Sequence, residues 1–153
     1  MKKCLLILLA ALCVIGCVGC ADNDSGKQPA EIPDGALILH NVRTYPEYAV
    51  LPICDVITSL GIELTWDGLN FARFNCGGSE YVINLAEKTL TKEGDDENYL
   101  IGPPGGDHFV CELEGGVLMV DDSTVRSLFN SVFNFPIDII IDHEKNRVGI
   151  IKR

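Results

Sequence analysis

The sequence predicts an α+β fold: antiparallel sheet with two helices, built as a degenerate two-fold repeat of helix plus β-hairpin. Three observations predict it. Residues 51–67 read as a short helix that stops at a glycine and runs straight into a strand. Residues 125–141 repeat that order, and short alternating segments separated by glycine turns lie between them. In the first unit Ile53, Val56, Ile57 and Leu60 fall at i, i+3, i+4 and i+7, on one helical face. Pro52 suits a first helical position and Gly61 the residue just past the end. From Ile62 the period becomes two, with Ile62, Leu64 and Trp66 on one side and Glu63, Thr65 and Asp67 on the other.

The other elements follow in order. Residues 36–39 form a short apolar run, read as the first strand, and Tyr45-Pro46-Glu47-Tyr48 leads into the helix. Asp67-Gly68 is a two-residue turn signal, so residues 71–75 return antiparallel. Gly77-Gly78 marks the next turn, Tyr81, Ile83 and Leu85 alternate, and residues 89–92 form a further strand. Residues 93–107 are rich in turn formers and read as a long loop. Strands at 109–113 and 117–120 flank Gly115-Gly116. The second helical stripe is Val125, Leu128, Phe129, Val132 and Phe133, with Asp121 or Asp122 as N-cap and Pro136 as terminator. Ile137, Ile139 and Ile141 then alternate with Asp138 and Asp142, and Val148 and Ile150 share one face of the last strand. The spacing from helix to strand is longer in the second unit by close to two helical turns, which keeps the buried face in phase. Trp66, Leu60 and Ile57 are expected to meet Leu128, Phe129 and Ile139 in one core.

The first residues carry an address. Lys2 and Lys3 precede a stretch with no charge from Cys4 to Ala21, the pattern of an export signal. Val14-Ile15-Gly16-Cys17 has the form of a bacterial lipobox. It predicts a lipoprotein signal peptide over residues 1–16, an acylated Cys17, a flexible tether over 17–35 and a domain over 36–153. Cys17-Val18-Gly19-Cys20 is a competing site, which makes Cys20 the alternative. An uncleaved anchor is the other reading, the uncharged stretch being near the lower limit for a spanning helix. Both readings hold the domain outside the cytoplasm at a membrane. The formal net charge of -10 argues against nucleic acid as a partner and against adsorption to anionic lipid.

The chain resembles the copper amine oxidase-like N-terminal domain, a module named for the stalk of some amine oxidases. That family's signature is a Val-Pro-Leu-Arg type step into a helix ending in Leu-Gly, then a strand ending in Trp-Asp. Leu51-Pro52-Ile53-Cys54, Leu60-Gly61 and Trp66-Asp67 match it, with Cys54 where arginine is usual. Pro103-Pro104 followed by Gly115-Gly116 is similar to the family's lead-in to its second unit, although Val120 replaces a proline and Asp122 an arginine. The resemblance covers residues 36–153 and implies an envelope module of sheet and helix. The stalk holds neither cofactor nor copper ligands, so it implies no cofactor, no metal and no catalytic residue here.

The chemistry-bearing residues give no motif. His40, His108 and His143 lie in separate segments and read as turn and surface residues. Cys54, Cys76 and Cys111 lack Cys-x2-Cys spacing, leaving a disulfide and buried free thiols both open. Asp95-Asp96-Glu97-Asn98 lacks calcium-loop spacing and reads as a solvated loop. Glu63, Asp67, Asp138 and Asp142 read as solvent-facing strand residues. They would serve a glycosidase only if they lined a cleft with raised pKa values. Ser123-Thr124 has no Gly-x-Ser-x-Gly context, and there is no phosphate loop. The expectation is a surface-tethered lipoprotein with a non-catalytic, cofactor-free module that binds an envelope polysaccharide or protein. Its alternatives are a small envelope hydrolase using carboxylates, or a metal-binding or redox module using Cys54, Cys111 and a histidine. Tyr99, Leu100 and Ile101, an apolar trio in a polar loop, are the expected interaction residues, with packing back onto the domain as the alternative.

Overall fold

The computed structural model describes residues 30–95, 98–101 and 110–153. The expected signal peptide, Cys17, Cys20 and most of the tether lie outside the described residues, as do Asp96, Glu97, Pro103, Pro104 and His108. The described chain is α+β, with antiparallel sheets and two helices. One sheet has the order β1 (Leu37–Leu39), β12 (Arg147–Lys152), β11 (Ile137–Asp142). A second has the order β2 (Arg43–Thr44), β3 (Ala49–Pro52), β10 (Val117–Asp121), β9 (Cys111–Glu114). The third runs in sequence order through β4 (Leu64–Asp67), β5 (Phe71–Cys76), β6 (Ser79–Asn84), β7 (Thr89–Lys92) and β8 (Asn98–Leu100). Of the expected tether, Ile32 is half-buried, and its Cγ2 would lie 2.4 Å from a Cβ built on Gly149. The end of that segment therefore packs on β12.

Helix α1 (Ile53–Ser59) has the expected face: Ile53, Val56, Ile57 and Leu60 are all buried. Pro52 stands one position earlier than expected, as the N-cap and the last residue of β3, where a missing N–H costs no ladder bond. Gly61, at φ +80°, ends the helix in a Schellman motif. Gly61 N donates to Thr58 O at 2.9 Å and Ile62 N to Ile57 O at 3.3 Å.

Helix α2 (Asp122–Ser127) is capped by Asp121, whose carboxylate accepts from Thr124 N at 2.9 Å and Thr124 Oγ1 at 2.8 Å. Asp122 acts elsewhere, its Oδ1 accepting from Ala49 N at 2.9 Å and so joining the helix start to β3. The helix widens into a π turn over Leu128–Val132, closed by Phe133 N donating to Leu128 O at 2.8 Å. Val125, Leu128, Phe129 and Phe133 are buried as their spacing predicts.

The core centres on aromatic rings contributed by both halves. Phe133 meets Phe74, Tyr81 and Phe129 edge-on at centroid distances of 5.3, 4.8 and 5.1 Å. Leu60, Ile57, Leu128, Phe129 and Ile139 belong to one buried cluster, as expected, but Trp66 does not. Trp66 is 51% exposed, a correction with a simple cause. Its strand β4 is an edge strand, and the register sets Trp66 opposite Ala72 near the end of the sheet. The ring thus lies at the rim, and Phe74 and Tyr81 of the neighbouring strands fill the centre. Asp142 is a second correction: it is 5% exposed, because the turn that follows folds Arg147 and Lys145 onto it.

Candidate functional site

The five-stranded sheet gathers most of the exposed apolar surface. The register aligns Trp66, Ala72, Ile83, Leu90 and Tyr99 in one transverse row. The three central residues are fully buried, while Trp66 and Tyr99 emerge at the two edges. The next row, on the opposite face, runs Asp67, Phe71, Asn84, Thr89, Leu100. Phe71 and Leu100 are exposed there, and Leu69, in the loop between β4 and β5, is 91% exposed. That loop has three residues, because Asp67 pairs with Phe71, where Asp67-Gly68 predicted a two-residue turn.

The rim is held together by its loops. Leu85 N donates to Asn70 O and Ile101 N to Lys88 O, each at 2.8 Å. Lys88 Nζ donates to Cys111 O at 2.7 Å, fastening the β6–β7 turn to the second sheet. Of the expected interaction trio, Tyr99 and Leu100 face solvent, and they form strand β8 within what the sequence read as a loop. Ile101 turns inward and is 3% exposed, so it belongs to the core and not to the contact surface. Glu63, Thr65, Arg73, Phe74, Asn75 and Glu80 line an open groove of about 380 Å³ on the same sheet.

The other candidates do not come together. Among the described residues no group of three or more histidine, cysteine, aspartate or glutamate side chains is placed to hold a metal ion. His40 and His143 are exposed. Cys54, Cys76 and Cys111 are free thiols. Burial pushes the Cys54 thiol up to about 11, helped by the neighbouring Asp55 carboxylate. Burial also raises Cys111 and Cys76, so each thiol is held away from the nucleophilic thiolate form. The four carboxylates considered for hydrolysis fall in two places, Glu63 and Asp67 at either end of β4 and Asp138 and Asp142 along β11, three of them with cations of their own. Asp67 pairs with Arg73 at 3.4 Å and Asp138 with Arg153 at 2.5 Å. Asp142 accepts from Arg147 Nε at 2.9 Å, which holds its carboxyl below the usual range. No described helix is long and apolar enough to cross a membrane. No family model matches this chain, and neither a curated protein nor a solved structure matches it.

Proposed function

We propose that this chain is a surface-tethered lipoprotein, acylated on Cys17 or alternatively Cys20, whose extracytoplasmic domain binds an envelope polysaccharide or protein without catalysing a reaction. One observation carries the recognition part of this reading. Of the eight large apolar side chains exposed among the described residues, Phe71 and Leu100 share one face at one end of the five-stranded sheet, Leu69 stands in the loop beside Phe71, and Trp66 and Tyr99 lie at the two edges of the same end. Exposed apolar groups gathered on a rigid frame and bordered by polar side chains are the usual form of a contact surface.

The resemblance to the copper amine oxidase-like N-terminal domain and the two-fold repeat belong to the same proposal. The repeat is supported by the way β3 and β10 lie antiparallel, with Leu51 facing Val120. Each of these residues stands two positions before a helix, starting at Ile53 or Asp122, and each helix leads into a hairpin. A rotation exchanging the two units would return the Leu51–Val120 pair to itself.

The test compares wild type with Leu69→Ser/Phe71→Ser/Leu100→Ser for retention on isolated polysaccharide and protein fractions of the envelope. A loss of at least about fivefold, with the melting temperature held, is expected when about 1 kcal/mol of apolar contact is removed. Equal retention would sink the reading. Mass spectrometry of the N-terminal peptide separately tests the anchor, which requires a diacylated cysteine for stable attachment.

A further inference from the structure

Each of the three sheets ends in two edge strands, and all but one of these are short or closed. Strands β1 and β8 have three residues each and β2 has two. At β11, Arg126 donates to Ile139 O and Asn130 Oδ1 accepts from Ile137 N. At β9, Lys88 Nζ holds Cys111 O. Strand β4 is the exception. Among the described residues its backbone bonds to β5 alone, and residues 65–70, which carry it into its loop, are all exposed. An open edge of this kind is a template for another strand.

We propose that β4 pairs antiparallel with β4 of a second copy, about a two-fold axis at Trp66, joining two five-stranded sheets into one of ten strands. Charge and pleat select this occupant and this register. Residues opposite each other in an antiparallel pair lie on the same sheet face, so the axis falls on one of the two central residues of β4. An axis at Thr65 would set Glu63 against Asp67 of the second copy, two like charges. An axis at Trp66 sets the Thr65 hydroxyl opposite the Asp67 carboxylate of the second copy, and by symmetry the reverse. Arg73 stands next in that row, opposite Thr65 on β5. Its guanidinium is 44% exposed and lies 3.4 Å from Asp67 and 3.7 Å from Glu80, loose contacts that leave it able to meet the second carboxylate. Arg43 makes a similar crossing in the same molecule, from β2 to Glu112 and Glu114 on β9. On the other face the two Trp66 side chains would stand directly opposite, with Cβ atoms about 5 Å apart and rings within stacking reach. Phe71 and Leu100 lie on the face away from Trp66 and stay exposed, so this pairing is independent of the recognition proposed above.

Trp66 is the chain's single tryptophan, so its emission reads the interface directly. The experiment follows the full chain, in a density-matched detergent, by sedimentation equilibrium and by acrylamide quenching of Trp66, from about 0.1 to 300 µM. A dimer with Kd on the order of 1–30 µM is expected, and quenching should fall about twofold as it forms. Trp66→Ser should weaken the dimer at least about tenfold. Asp67→Lys sets a cation beside Arg73 of the second copy and should weaken it at least about fivefold, with the fold intact by circular dichroism. Leu113→Ser, on edge strand β9, should leave it unchanged. A monomer at about 300 µM overturns the inference. So does any species larger than a dimer, or quenching that does not change with concentration. Wild-type affinity in Trp66→Ser, or loss of the dimer in Leu113→Ser alone, would move the contact off β4 and overturns it too. If Trp66→Ser does not fold, Asp67→Lys decides: wild-type affinity refutes the pairing, and tighter association refutes the axis at Trp66.

Discussion

Adjacent glycines in the β5–β6 turn should respond very differently to the same added methyl group. Gly77 and Gly78 both have positive φ, at +56° and +82°. Alanine at either position therefore meets the left-handed penalty of about 1–2 kcal/mol. Only Gly77 is crowded. A Cβ there would lie 2.0 Å from the Phe133 carbonyl oxygen, whereas at Gly78 it would find no atom within 4 Å. The Phe133 carbonyl is poorly placed to retreat. Its own N–H closes the π turn at 2.8 Å, and the preceding Val132 carbonyl accepts from Tyr81 Oη at 2.9 Å. Its ring is wedged among Phe74, Tyr81 and Phe129. Overpacking against such a site adds about 1–3 kcal/mol. Urea denaturation should thus place Gly77→Ala about 1–3 kcal/mol below Gly78→Ala. In melting temperature this is about 3–5 °C per kcal/mol for a domain of this size. Equal midpoints for the two variants would show that the turn does not rest on the Phe133 backbone.

Further variants probe the core, a carboxylate and a thiol. Phe133→Ala should cost about 3–5 kcal/mol by chemical denaturation, while the half-exposed Trp66→Ala should cost about 1 kcal/mol. Equal losses would refute the assignment of Trp66 to the rim. The Asp142 carboxyl is held below its ordinary value of 3.8, chiefly by its hydrogen bond from Arg147. Because its folded value is depressed, its stabilising contribution is complete above the unfolded value and is lost as pH falls through the folded one. Acid titration of stability should therefore be shallower for Asp142→Asn than for wild type below about pH 4, and parallel curves would refute the pairing. Cys54, pushed up to about 11 from 9.0, should be alkylated by iodoacetamide at mild alkaline pH far more slowly in the native than in the unfolded chain. The two thiolate fractions differ by about a hundredfold, and matching rates would refute its burial.

Helix positions were legible because each has a strong local cause. The stripe from Ile53 to Leu60 with Gly61 behind it specifies α1 almost alone. The hairpin glycines fix Cys76 opposite Ser79 and Glu114 opposite Val117, as their dipeptides predict. Strand β3 was not legible. Ala49–Pro52 is buried at every position, so it has no alternation to betray it, and it adjoins a helix. The pairing of β3 with β10, which joins the two halves, therefore has no signal of its own in the sequence. Trp66 departs from its expected burial because alternation identifies a face of a strand but not how far the covering layer extends over that face. Arg43 gave no signal, since its partners Glu112 and Glu114 are far away in sequence.

The division between core and surface also bears on how binding can be separated from folding. The rings of Phe74, Tyr81, Phe129 and Phe133 meet and link the five-stranded sheet to the second helical segment. The first sheet's edge at β11 is closed by side chains from that same segment: Arg126 donates to Ile139 O, and Asn130 Oδ1 accepts from Ile137 N at 2.8 Å. Such coverage blunts an edge that would otherwise pair with another chain. At the opposite extreme, Leu69 and Leu100 contribute little buried area, and Trp66 and Phe71 are each substantially solvated. Their loops are nevertheless anchored through Asn70, Lys88 and Ile101. Substituting the exposed side chains removes apolar contact surface while leaving those backbone bonds and the aromatic centre in place. Loss of retention in these variants would therefore report recognition itself, because the part of the fold that carries stability is elsewhere.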